Sequence, residues 1–254
     1  MLTSLRTRFW HFRDRVHRAG DFATFRALTA GPSGLTTLKL RVNGTVVPVT
    51  VRGGTEDVVM SSLILRDESE YRLPSLPDFK PTTILDLGAN IGLFGAFAAA
   101  RWPRARISAY EPDPANADVC RECIAANRLE HRWALTTAAA ANRAGELRFH
   151  ASGDALSHAG EGGNLVVEAR DVLGEIAAAD LVKMDVEGGE WEILRDPRFA
   201  ASPPRAIVLE YHPHPSASDP RAAVEALLRQ AGLAEQSPIF HRGDGHGMLW
   251  AWRS

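Results

Sequence analysis

The chain has 254 residues, is 45% hydrophobic and carries a formal net charge of -2. That is enough apolar content for a sizeable core, and the near-neutral balance argues against a protein built to grip phosphate backbones, which would be strongly basic. No stretch approaches the roughly 18 apolar residues of a membrane-spanning helix, so no integral membrane segment and a cytoplasmic location are expected.

In chain order, residues 1–30 read as helical and end at the breaker cluster Gly31-Pro32-Ser33-Gly34. The N-terminus is basic and aromatic but lacks the apolar core of a secretory signal. Its Arg/Phe/Trp pattern suits either a helix packed on its own domain or one that skims a membrane surface. The stretch L-K-L-R-V-N-G-T-V-V-P-V-T-V-R then alternates apolar with polar, with Asn43-Gly44 where a hairpin turn falls. A short helix is expected over 55–65 and a proline-bearing connector over 73–81. Residues 1–80 are taken as an N-terminal extension, helices plus a β-hairpin, that covers the substrate; residues 81–254 form the main domain.

From Thr82 strand and helix signals alternate. Strands are expected over 83–87, 106–110, 133–138, 181–185, 206–210, 237–241 and 248–252. Helices are expected over 92–101, 114–127, 188–195 and 220–231. Such alternation predicts an α/β fold, a mostly parallel sheet covered by helices on both faces. The last two strands are separated only by R-G-D-G-H-G, too short for a crossover helix, so they should form an antiparallel hairpin. Residues 145–170 read as an excursion between the third and fourth sheet strands, a place where specificity is often carried. Cys120 and Cys123 form a C-x-x-C pair inside a helical stretch; with no second cysteine pair to complete a zinc site, they are read as buried helix residues.

The stretch I-L-D-L-G-A-N-I-G over 84–92 carries the first chemistry. An apolar strand ending in Asp86 runs into a turn at Gly88, Ala89 and Asn90, and Gly92 opens a helix. Ligands of open parallel sheets sit beyond the strands' carboxyl ends, where the backbone amides around Ala89–Gly92 are expected to point toward a ligand, which makes Gly92 a candidate cofactor-binding residue along with the turn. The dinucleotide fingerprint G-x-G-x-x-G is broken at Asn90, and no Walker lysine is present. A purely structural bend is an equal reading of this turn alone. The next strand shifts that balance: R-I-S-A-Y-E-P-D-P ends in Glu111, about 20 residues on, where a ribose-binding acid is expected. Pro112 stiffens the exit and Asp113 caps the following helix. Turn and acid together point to a nucleoside ligand.

At the fourth and fifth strand ends stand further candidates. L-V-K-M-D-V-E-G-G-E places Asp185 and Glu187 beyond one strand, with Glu190 read as compensating a helix dipole. Lys183 is read as a strand residue paired with an acid. A-I-V-L-E-Y-H-P-H-P places Glu210, Tyr211 and His212 beyond the other. His212 is the first choice for a general base, since an unperturbed imidazole titrates near pH 6.5; Glu210, two positions earlier on one strand face, is the candidate to orient it. A loop histidine held by backbone contacts is the competing reading. His214 is read as structural. Asp185, Glu187, Glu210, His212 and His214 offer enough ligands for a cation, but no tight spacing demands one, and no metal is expected. His150 and His158 stand in the excursion as specificity residues or bystanders.

The motifs I-L-D-L-G-A-N-I-G, A-Y-E-P-D-P-A-N and L-V-K-M-D-V-E-G-G-E-W-E-I-L, with the earlier V-R-G-G-T-E-D-V-V-M-S-S-L, resemble the FkbM family of S-adenosylmethionine-dependent methyltransferases over about residues 50–212. The resemblance implies a Rossmann-like class I methyltransferase fold with a seven-stranded sheet and a C-terminal antiparallel hairpin. It also implies the cofactor S-adenosylmethionine, which has no phosphates and so explains the broken fingerprint. By the same resemblance the backbone at Gly88–Asn90 meets the methionine end, Asp86 holds its ammonium and Asp185 lies beside the sulfonium. Glu111 takes the ribose hydroxyls, Pro112 or Asp113 borders the adenine, and Ala140 with Ala141 lines it. Asn142 stands where the family commonly has an acid. The function expected is O-methylation of a small hydroxylated molecule such as a sugar, glycolipid or polyketide. The alternatives are a nitrogen or carboxylate acceptor, nucleic-acid methylation, or a non-catalytic cofactor-binding module. No nucleic-acid partner is expected, since M-D-V-E replaces the Asn/Asp-Pro-Pro-Tyr motif. Oligomeric state is not readable.

Overall fold

The structure is a computed structural model that describes residues 19–20, 22–31, 34–42, 44–65, 71, 79–150, 158–159 and 165–253. Strand β1 (Leu35–Val42) and strand β2 (Thr45–Arg52) form an antiparallel hairpin, flanked by helix α1 (Phe22–Ala30) and helix α2 (Asp57–Leu65). Their pattern follows the sequence alternation: Leu38, Leu40, Val42, Val47, Val49 and Val51 face inward and are buried. The part of the expected N-terminal helix before residue 19, and the connector at 72–78, lie outside the described residues.

The main sheet has seven strands: β3 (Thr83–Leu87), β4 (Arg106–Tyr110), β5 (Trp133–Thr136), β10 (Leu181–Met184), β11 (Ala206–Tyr211), β12 (Glu235–His241) and β13 (Gly247–Trp252). Their spatial order is β12-β13-β11-β10-β3-β4-β5. The five strands from β11 to β5 are parallel, and β13 runs antiparallel to both β11 and β12. The protein therefore has the α/β, Rossmann-like class I methyltransferase fold, including the C-terminal antiparallel hairpin. The central strands are buried along nearly their whole length, as a parallel sheet with both faces covered requires.

One face carries α2, α3 (Leu93–Arg101) and α4 (Pro114–Asn127), and the β1–β2 hairpin packs into the same core: Val49 and Val51 share a cluster with Phe94, Phe97, Val119 and Ile124. The other face carries α5 (Leu173–Ala178), α6 (Glu190–Arg195), α7 (Pro197–Ala201) and α8 (Pro220–Gln230), which bury Trp191, Phe199 and Leu228 against it. Cys120 and Cys123 are free and buried in α4, as read.

Two local departures bear on the site. The expected strand 133–138 is broken: β5 ends at Thr136, and the chain continues as β6 (Ala139–Ala141) in a second sheet. The excursion after it is a small sheet, not a loop alone: β7 (Gly145–His150), β8 (His158–Ala159) and β9 (Leu165–Asp171) join β6 in the order β6-β9-β7-β8. Residues 151–157 and 160–164, and the side chains of His150 and His158, lie outside the described set.

Candidate active site

Strands β3 and β10 are neighbours in register, with Asp86 opposite Lys183 and Leu87 opposite Met184. Their carboxyl ends sit at the middle of the sheet, where the strand order reverses, the position that favours a ligand crevice. The turn after β3 passes through left-handed backbone at Gly88 (φ 81°) and Asn90 (φ 50°). Gly88 is there because nothing larger fits: an added Cβ would lie 1.7 Å from the carbonyl oxygen of Asp185. Its amide and that of Ala89 both donate to the Tyr110 carbonyl, at 3.0 and 2.8 Å, which ties the turn to β4.

Glu111, just beyond β4, is 4% exposed. One carboxylate oxygen accepts the Asn90 amide at 2.7 Å and the other the Asp113 amide at 2.9 Å. Each oxygen keeps a second lone pair, and Glu111 lines a cleft that opens to solvent. Burial pushes its carboxyl up to about 7, against the two amide hydrogen bonds, which pull it down. The same cleft is lined by Gly88, Asn90, Pro112, Ala140, Asp185 and Glu187 among the expected residues, and by Asn116, Leu147, Phe149, Val186 and Gly189, which sequence reasoning missed. Phe149 and Leu147 come from β7, so the excursion supplies one wall.

Beneath the turn, Asp86 is fully buried, and burial pushes its carboxyl up to about 6, opposed chiefly by Lys183. Lys183 donates to the carbonyl of Gly88 and lies 3.6 Å from Asp86 Oδ1 and 3.5 Å from Asp185 Oδ2. Burial works against its ammonium, but Asp185, Asp86, Glu111 and Glu210 outweigh it and hold its pKa above the ordinary value. Both Asp86 oxygens, Asn90 Oδ1 and Asp185 Oδ1 are buried without a hydrogen-bond donor. Buried acceptors of this kind are costly unless a ligand supplies the donors. They suit a ligand end rich in N–H groups, as an α-ammonium is.

Two expected cofactor residues have other work. Gly92 opens α3 facing Cys120 Sγ and the Trp133 ring, 2.9 and 3.3 Å from where its Cβ would stand, and it lines neither of the two cavities at these strand ends. Asp113 is buried, caps α4 through the Ala115 amide at 2.9 Å and donates its own amide to Glu111. It shapes the acid's surroundings from behind. Ala89 faces the second cavity, not the cleft, and Ala141 and Asn142 line a groove that adjoins the cleft at Ala140, Leu147, Glu187 and Gly189.

The second cavity holds about 490 Å³ and shares Gly88, Asn90, Asp185 and Glu187 with the cleft. Met60, Ile64, Tyr71, Leu93 and Phe94 give it an apolar side; Glu210, His212, Arg242 and His246 give it a polar one. At the border stands a carboxylate–imidazole cluster. His212 Nε2 lies 3.2 Å from Glu187 Oε2, and Nδ1 lies 3.1 Å from Glu190 Oε1. Glu190 is fully buried; it also accepts the His212 amide at 2.8 Å and the Gly188 amide at 2.8 Å. The His212 carbonyl accepts Trp191 Nε1–H at 3.0 Å.

This arrangement corrects three expectations. His212 does not stand as a free base: both ring nitrogens are engaged by carboxylates, and although burial lowers its pKa, the hydrogen bonds and charges of Glu187 and Glu190 push it up to about 11. Its ring is oriented by Glu190 and not by Glu210, because β11 ends at Tyr211, so the strand alternation that would align Glu210 with His212 stops short. Glu190 is thus a site residue rather than dipole compensation alone. His214 does turn away, with its ring 5.3 Å from Trp191 and Nδ1 on Ser216 Oγ.

Residues 86–233 match the family described as the methyltransferase FkbM domain. A curated relative, 31-O-demethyl-FK506 methyltransferase FkbM of Streptomyces tacrolimicus, is 30% identical over 203 residues, 62% of this chain and 75% of its own. Among solved structures, TYW2 of P. horikoshii in complex with MeSAdo shares 14% identity, covering 86% of this chain and 72% of that one, with a TM-score of 0.48. Magnesium protoporphyrin IX methyltransferase of Synechocystis PCC 6803 with bound SAM also shares 14% identity, covering 78% and 83%, with a TM-score of 0.47.

Proposed function

We propose, from the premise that this chain belongs to the FkbM methyltransferase family and is an S-adenosylmethionine-dependent enzyme, that it methylates a hydroxyl oxygen of a small molecule. The observation that carries the reading is the cluster of Asp185, Glu187 and His212 on the border between the cleft and the larger cavity. The name of the 30% identical relative specifies an oxygen acceptor, which agrees.

The residues of the cleft fit the cofactor. Glu111 offers an oxygen to each ribose hydroxyl, while Pro112, Ala140, Leu147 and Phe149 border the base. Asn90 Oδ1, a buried acceptor without a donor in the cleft wall, takes the ammonium of the methionine end, and Asp86, buried beneath the turn beside Lys183, adds negative charge behind it. S-adenosylmethionine supplies the electrophilic methyl carbon on its sulfonium.

The larger cavity receives the acceptor. Its apolar side, from Met60 to Phe94, takes a hydrophobic body, and its polar side faces a hydroxyl-bearing portion, the make-up of a polyketide, glycolipid or decorated sugar. The chain's own work is alignment and proton removal. With both nitrogens of His212 engaged, the imidazole is a positioning group, and Glu187, whose side chain is 35% exposed, is the carboxylate that accepts the hydroxyl proton as the new C–O bond forms and the methyl–sulfur bond breaks, leaving S-adenosylhomocysteine. Helix α2, through Met60 and Ile64, walls this side.

A metabolite extract incubated with trideuteromethyl cofactor tests the reading. We expect a labelled product whose fragmentation carries the label on oxygen. A label on nitrogen or carbon, or cofactor binding with no labelled product from any hydroxylated pool, overturns it.

A further inference from the structure

We infer that Lys183 is the positioning residue of the donor site: its buried ammonium ties the turn after β3 to the turn after β10 and pairs with Asp86 and Asp185 beneath the methionine end of the cofactor. The inference rests on the cofactor placement given above. It is independent of which acceptor atom is methylated.

Lys183 stands in β10 with Asp86 opposite it in register, and it is 3% exposed. Its neighbours Val182 and Met184 are apolar and fully buried, and an apolar residue would fill this strand position at lower cost. The ammonium instead reaches the tip of the neighbouring strand. Nζ donates to the Gly88 carbonyl and lies 3.5 Å from the Leu87 carbonyl. It is 3.6 Å from Asp86 Oδ1 and 3.5 Å from Asp185 Oδ2. One cation thus touches the end of β3, the turn that meets the donor, and the acid just beyond β10. The two turns are already in close contact there. The Asp185 amide donates to the Leu87 carbonyl at 3.0 Å, and the Asp185 carbonyl fills the space a Cβ on Gly88 would need. A shift of the Gly88 carbonyl therefore moves the donor turn against Asp185.

The charges around this point show what depends on the lysine. Asp86 faces it from β3, Asp185 from the end of its own strand, Glu111 from beyond β4 and Glu210 from β11. Asp86 also faces Cys120 of α4, whose thiol is pushed up by burial, by Cys123 and by these acids. Neither oxygen of Asp86 accepts a hydrogen bond, and Asp185 Oδ1 accepts none. Burial pushes Asp86 up to about 6, and the charge of Lys183 is the chief force against it. Without the ammonium, two buried like charges cannot both persist near neutral pH, and one acid takes a proton. The negative charge behind the Asn90 pocket is then available only after that O–H bond breaks and the proton leaves to buffer.

The test is calorimetric titration of the full chain with S-adenosylhomocysteine between pH 7.5 and 8.5, in buffers of different ionisation heat, beside melting curves. Wild type should bind with nearly constant affinity and little proton release. Lys183→Met should bind at least tenfold more weakly at pH 7.5, release about one proton per ligand bound, and regain affinity as pH rises by up to tenfold per unit. Its melting deficit against wild type should shrink below pH 6, because a protonated acid needs no partner. Adding Asp86→Asn should make the Lys183→Met protein more stable and reduce its proton release. If Lys183→Met is unfolded at pH 7.5, folding regained at pH 5.5 or in the double variant supports the inference, and folding regained in neither overturns it. An affinity loss and melting deficit that are equal at every pH mark a merely structural lysine and overturn it. Wild type that fails to bind S-adenosylhomocysteine sinks the cofactor placement and the inference together. A methyl label found on nitrogen sinks the hydroxyl reading alone.

Discussion

Two turns lie side by side at the carboxyl edge of the sheet, and they are built in opposite ways. The turn after β3 presents backbone. Gly88 is wedged against the Asp185 carbonyl, the Gly88 and Ala89 amides are fixed to β4, and the Asn90 amide holds Glu111 in place. The turn after β10 presents side chains. Glu187 (φ 52°) and Gly188 (φ 100°) also take left-handed backbone, but an added Cβ at Gly188 meets nothing within 4 Å. A ligand held by the first turn is recognised by the shape of the chain, which cannot vary without cost to the fold. A ligand met by the second is recognised by Asp185, Glu187 and their imidazole partner, which can be exchanged while the fold stands.

Alanine at each glycine breaks the comparison most directly. Gly88→Ala should cost about 4 kcal/mol or more, since both the left-handed backbone and a backbone clash oppose it. Gly188→Ala should cost only the backbone term, about 1–2 kcal/mol. Denaturant midpoints measure both, and equal costs would erase the distinction. A smaller effect is expected on the wall above the cofactor side. Arg52 makes hydrogen bonds to both Asp57 oxygens at 2.9 and 3.1 Å and to Asn116 Oδ1 at 2.8 Å, joining the hairpin to α2 and α4. Arg52→Met leaves the buried Asp57 charge without its partner and should cost about 3 kcal/mol, with weaker cofactor binding because Asn116 lines the cleft.

The smallest effect is a pH dependence. Glu111 has a folded pKa raised to about 7 from an ordinary 4.5. Its burial as a charge therefore costs stability above pH 7, and that cost fades as pH falls toward 4.5. The ribose hydroxyls donate to the ionised form, so affinity for S-adenosylhomocysteine should fall below pH 7, by up to tenfold per unit, and level off above it. Glu111→Gln should bind about 10- to 100-fold more weakly at pH 8, with the slope gone. Calorimetric titration at several pH values reads both; a slope that persists in Glu111→Gln assigns it to another group.

The sequence carried the cofactor side further than the acceptor side, for a physical reason. A turn built from backbone needs glycine and a positive-φ asparagine at set places, and these leave a local mark: I-L-D-L-G-A-N-I-G could be placed between a strand and a helix by inspection. The parallel sheet and its terminal hairpin were legible in the same way, from alternation and from the short R-G-D-G-H-G connection. What stayed hidden depends on contacts between distant segments. Glu190 reaches His212 across 22 positions, and neither side chain shows in sequence that the other will be there. Leu147 and Phe149 enter the cleft only because the excursion folds into its own sheet beside β6. Gly92 and Asp113 erred the other way: motif membership suggested ligand contact, whereas packing on Trp133 and helix capping occupy them.

The most direct test of the central claim, that the tips of β3 and β4 hold the donor so that its reactive end faces the tips of β10 and β11, is a crystal structure with S-adenosylhomocysteine bound. The account predicts ribose hydroxyls on Glu111, the ammonium on Asn90 above Asp86, and the sulfur turned toward Asp185 and Glu187. A nucleoside lodged outside the cleft, or a sulfur facing away from that pair, would contradict it.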